Sequence, residues 1–149
     1  MADFYPATLA KVRRLLIALL CLGLCGTTLE LWLIGHHEDF WQWIPLAVMA
    51  ASTMSAGWVV VTWSRSATVV FRIMMAILML TGAVGAVLHY RANMEFQLEM
   101  DPSLGGLALM AKILHAKAPP ALAPGNMALL SLVGLVAVWR SGRSGMSTP

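Results

Sequence analysis

The sequence carries little charge: ten lysines and arginines and seven aspartates and glutamates among 149 residues, or 11% of the chain. A soluble domain carries about a quarter. A core this small cannot hide the 59% of residues that are hydrophobic, so much of the surface must be solvated by lipid. The mean hydropathy of +0.75 agrees. Cysteine is nearly absent. Cys21 and Cys25 lie four apart in one apolar run, on one side of a helix but too far apart along its axis for an ordinary disulfide. They read as small apolar residues and not as a redox or metal pair. The formal charge of +3 comes without a basic stripe, finger spacing or basic helix, which argues against nucleic acid as a partner. No phosphate-binding glycine loop, zincin motif, calcium loop, nucleophile triad or internal repeat is present. No catalytic residue can be named from a motif, and a non-enzymatic role is favoured.

What the chain does contain is four apolar runs, at about 15–35, 40–63, 67–90 and 121–139. The first follows Lys11, Arg13 and Arg14 and is too long for a signal-peptide core, so it is expected to stay as an anchor. Pro45 falls near the start of the second, where a missing amide hydrogen costs little. Ser66 is a candidate cap for the third, and Arg72 in its first turns is expected to snorkel to the headgroups. The fourth is the shortest, and Pro124 and Gly125 disturb its beginning. A regular helix starting only at Asn126 would reach about 21 Å and need a thinned bilayer or a broken lead-in packed on protein.

The expected fold is all-α: a polytopic membrane protein forming a four-transmembrane-helix bundle as a single domain, with a short outer surface helix and both termini cytoplasmic. Seven basic residues (Lys11, Arg13, Arg14, Arg65, Arg72, Arg140 and Arg143) then lie inside, against Arg91, Lys112 and Lys117 outside, as the positive-inside rule favours. That topology suits a bacterial inner membrane. Trp32, Trp41 and Trp43 fit an outer aromatic belt, and Trp63 and Trp139 an inner one. The outer segment, 91–120, is too long to be structureless. Asp101 before Pro102 resembles a helix cap, and Leu104, Leu107, Met110 and Leu114 recur on one face, so a helix is expected over 102–116, lying on the surface or folded over the bundle. The stretch 118–124, APPALAP, turns the chain back, and the tail 141–149 has no apolar periodicity.

Six of the seven acidic residues and all four histidines map to the outer half. Glu30 lies inside the end of the first run. Gly23, Gly26 and Thr27 share its helical face, and small faces usually pack against neighbouring helices, so Glu30 is expected to point inward, with His37 seven residues on. Gly82 and Gly85 precede His89 in the same way. Glu30, His37 and His89, with Glu95 or Glu99 above them, form a candidate cluster. Carboxylates and imidazoles together suit a divalent metal, a histidine pair suits haem, and a buried carboxylate near histidines suits a proton relay or a quinone. The bland alternatives are helix pairing of Glu30 with Arg91 or a histidine, a solvated turn at His36 to Asp39, a helix cap or interfacial filler at His89, and a surface role for His115. Met74, Met75 and Met79 read as flexible apolar packing.

Three functional classes follow. The leading one is a small non-catalytic subunit or accessory protein that contacts a membrane-protein partner, or further copies of itself, through Asn93, Glu95, Glu99, Asp101 and Lys112. The second is a redox or metal-handling protein binding a metal, haem or quinone at the histidine–glutamate cluster. The third is a small ion or solute transporter acting as an oligomer.

Overall fold

The computed structural model describes residues 4–116 and 122–139. Over them the chain forms five helices: α1 (Phe4–Leu33), α2 (Phe40–Thr62), α3 (Arg65–Met100), α4 (Gly106–Leu114) and α5 (Ala123–Ala137). No strand occurs among the described residues. Lys117, most of the expected turn at 118–124, Arg140, Arg143 and the tail lie outside them. Three helices are long and apolar enough to cross a membrane: α1 from Ala7, α2 and α3. The protein is a membrane protein. α5 is apolar but has only 15 residues, about 22 Å against a hydrocarbon thickness of about 30 Å.

The helix ends have local causes. α1 stops at Gly35, which adopts φ +74°, a conformation glycine takes without penalty. The Gly35 N–H then bonds the Trp32 carbonyl at 3.1 Å, and the His36 N–H bonds the Leu31 carbonyl at 2.9 Å. This is the Schellman pattern. At the start of α2 the Gln42 side-chain oxygen accepts from the Glu38 and Asp39 N–H groups. α3 begins two residues earlier than expected, because Ser64 caps it by accepting from the Ala67 N–H at 3.2 Å. It also runs ten residues past the expected end at Tyr90, unbroken to Met100. Asp101 ends α3 instead of starting α4: its N–H bonds the Gln97 carbonyl, and its carboxylate accepts from the Ser103 N–H and hydroxyl at 3.1 and 2.6 Å. α4 therefore starts only at Gly106, whose φ is +56°. In α5, Pro124 is accommodated in the first turn, where no amide hydrogen is needed.

α1 lies against α2 and α5, and α3 against α2, α5 and α4. The buried stripe of α1 is Ile17, Leu20, Leu24, Thr27 and Leu31, spaced three and four apart as a helix seam requires. Lipid is as apolar as leucine, so association in a membrane rests on close packing and interhelical hydrogen bonds. α5 supplies both. A Cβ placed on Gly82 of α3 would fall 2.6 Å from the Pro124 carbonyl oxygen. Gly134 of α5 receives Met75 and Phe71 of α3, and Gly23 of α1 receives Leu130 of α5. Asn126 of α5 donates from its side chain to the buried Thr27 hydroxyl of α1. At the far end Arg13 donates to the Trp139 carbonyl and Arg72 to the Val138 carbonyl, each at 2.8 Å. Arg72, expected to snorkel, thus caps the end of α5, where cations suit the helix dipole.

Gly82 meets backbone that cannot yield, whereas Gly26 has nothing within 4 Å of its Cβ position. Gly82→Ala is therefore predicted to destabilise the folded protein by about 1–3 kcal/mol, the usual range for overpacking. Gly26→Ala should stay within about 0.5 kcal/mol. Reversible unfolding in mixed detergent micelles measures both, and equal effects would contradict the packing described.

Candidate functional site

Two elements converge at the end of the helix assembly where α1 passes into α2. The Schellman turn at Gly35 delivers His36 and His37 in succession and sends their side chains different ways. The His37 ring stacks on Trp32, with centroids 4.4 Å apart and planes at 10°, and Trp43 meets it edge-on at 6.0 Å. Its Nδ1 is buried without a hydrogen-bond partner among the described residues. The His36 ring lies against His89 of α3, with centroids 6.2 Å apart and planes at 28°. Both are half-buried. His89 continues the face of α3 on which Gly82 and Gly85 meet Pro124, so the small-residue pattern locates it over the start of α5.

Glu30 does not point inward. It is exposed. The buried seam steps from Thr27 to Leu31, which leaves Glu30 on the flank. Of the glycines on its face, Gly23 is packed by Leu130 but Gly26 is open. α5 begins only three residues before Asn126, the partner of Thr27, so about one turn above that contact it has ended. His37 and His89 are not brought together as a pair either: their recorded ring contacts are with Trp32 and Trp43 and with His36 respectively. The expectation extended a regular helix by seven residues, and Gly35 ends that helix first.

Glu95 and Glu99 are exposed on the part of α3 beyond His89, and Asn93 there is half-buried. Asp101 lies in the turn after α3, where Ser103 holds its carboxyl below the ordinary carboxylate value, with a smaller contribution from Lys112. Lys112 is exposed on α4, and His115 is exposed with its Nδ1 2.8 Å from the Ala111 carbonyl. Among the described residues no three histidine, cysteine, aspartate or glutamate side chains come together as a metal-ligand set. The pairing of His36 with His89 was not foreseen, although the glycine two residues before His37 was the available signal. Compared with protein-family models, curated proteins and solved structures, the chain matches none.

The electrostatics of the pair follow from its burial. Desolvation, and secondarily His89, holds the His36 pKa below the ordinary 6.5, because both disfavour the charged form. A depressed folded value means that the group's contribution to stability is present above pH 6.5 and is lost as pH falls through the folded value. By NMR, His36 is predicted to titrate below 6.5 and to move upward, toward but not fully to 6.5, in His89→Ala. An unshifted His36 titration in that variant would remove His89 as a cause.

Proposed function

We propose that the protein is a small non-catalytic membrane subunit or accessory factor that binds a partner protein through α4 and the outer end of α3. One observation carries this reading: exposed apolar side chains stand beyond the aromatic belt. Trp32, Trp41 and Trp43 are exposed around the α1–α2 turn, as interface residues are, and contact with His36 sets His89 at the same level. α3 then continues from 90 to 100, about 16 Å further. α4 packs against α3 and buries Ile113 completely, yet Leu107 is 85% exposed and Met110 and Leu114 are half exposed. Phe96 and Met100 of α3 are also exposed. Leu107, Met110 and Leu114 recur at helical spacing, so α4 has an apolar face in addition to the one on α3. Such a patch above the lipid marks a protein contact, and exposed Glu95, Glu99 and Lys112 supply a polar rim.

The finer topology belongs to the same proposal. α5 serves as the fourth, incomplete span of a four-helix bundle in a bacterial inner membrane. The basic end, with Arg13 and Arg72 gathered at the end of α5, faces the cytoplasm together with both termini. The transport reading has less support, since Glu30, its one embedded ionisable candidate, lies on the outside of the helix assembly.

A partner should co-purify stoichiometrically in mild detergent and cross-link to a photoreactive residue at position 107. Phe96→Asp or Leu107→Asp is expected to reduce its recovery at least about tenfold, as loss of a central apolar contact does, while His37→Ala leaves it unchanged. Leu107→Cys should react with an impermeant thiol reagent added to intact spheroplasts, and Ser66→Cys should not. Recovery indifferent to both acidic substitutions would refute the docking surface, and the reverse labelling would refute the orientation.

A further inference from the structure

We propose that His36 and His89 form a binding site for an imidazole-preferring divalent ion of the zinc–copper class at the mouth of the helix assembly. The inference does not depend on the docking surface. Each ring is held by a separate element. The backbone of His36 is fixed by its hydrogen bond to Leu31, and His89 is carried on α3 just beyond the glycines that pack on Pro124. Neither ring makes a hydrogen bond among the described residues, although both are half-buried. Among the described residues their nitrogens have no hydrogen-bond partner, and the neutral form needed for ligation is the one that burial favours at His36.

The separation suits a shared ion. With metal–nitrogen bonds of about 2.0–2.1 Å and ring nitrogens roughly 1.1 Å from the centroid, two imidazoles on one ion have centroids about 4.5–6.4 Å apart. The observed 6.2 Å lies at the wide end of that interval, where the two nitrogens approach nearly opposite sides of the ion; a tetrahedral angle, with centroids about 5.2 Å apart, requires the rings to draw together by about 1 Å. Water or an arriving ligand fills the rest. A site with open positions exchanges its ligands, unlike a closed structural site, and affinity among divalent ions rises toward copper.

The probe is Cu2+ added to tag-free, chelator-stripped protein in mild detergent, read by electron paramagnetic resonance and equilibrium dialysis. One copper per chain is expected, with hyperfine structure from two imidazole nitrogens, competed out by a large excess of Zn2+ but not by the same excess of Mg2+. Losing an outer-shell partner already weakens metal sites 10–100-fold, so His36→Gln and His89→Gln should each weaken binding at least about tenfold. His37→Gln and His115→Gln should bind as the parent does. Tryptophan fluorescence and circular dichroism identify variants that remain folded. Copper bound no more tightly by the parent than by the folded His36→Gln/His89→Gln double variant would overturn the site, and displacement by Mg2+ would overturn its class.

Discussion

A helix of fifteen residues packed between two longer apolar helices has terminal carbonyls and amides with no partner of its own, and side chains of its neighbours satisfy some of them. The rest of the structure is arranged around that requirement. Arg13 from α1 and Arg72 from α3 reach the Trp139 and Val138 carbonyls, placing two cations at the negative end of the helix dipole. At the other end a proline occupies the first turn, and the Asn126 side chain bonds Thr27. Because one arginine comes from α1 and the other from α3, satisfying α5 also ties together the two helices that it separates. Gly23, Gly82 and Gly134 then let the backbones approach, supplying the contact that hydrophobicity alone does not provide in lipid.

The shortness of α5 also shapes the opposite end of the molecule. α1 and α3 continue past the point where α5 begins, to the level at which His36 of the α1–α2 turn meets His89. The turn is rigid for local reasons: a glycine in the left-handed region, two reverse hydrogen bonds and a glutamine that caps the next helix. Rigid turns hold side chains in fixed directions. One histidine therefore goes to the tryptophans and its neighbour to α3. Beyond this level only α3 and α4 are described, and their apolar surface has no other described helix against it.

The sequence foretold the existence of the helices better than their ends or phases. Long apolar runs mark α1, α2 and α3 because lipid demands them. Small residues at 82 and 85 located His89 because close helix packing demands those. The failures have equally definite causes. Apolarity ends at Tyr90 but helicity does not, since nothing in 91–100 breaks a helix and hydropathy measures solvent rather than backbone. Asp101 has the chemistry of an N-cap, but its carboxylate serves a turn closed by Ser103. Glu30 was placed by the small residues before it, but the buried seam passes from Thr27 to Leu31; His37 was placed by carrying the helical phase through Gly35, and the phase is lost there. The capping of α5 by Arg13 spans 126 residues of sequence and leaves no local signature.

The account rests on α5 seated between α1 and α3 with Asn126 beside Thr27, and thiol cross-linking in native membranes tests that directly. In a Cys21→Ser/Cys25→Ser background, Thr27→Cys paired with Asn126→Cys should join within one chain under mild oxidation or with a short bifunctional reagent. Gly26→Cys paired with Asn126→Cys, which points about 100° away around α1, should join far more slowly. Efficient joining of the Gly26 pair with none of the Thr27 pair would place α5 elsewhere and contradict the arrangement.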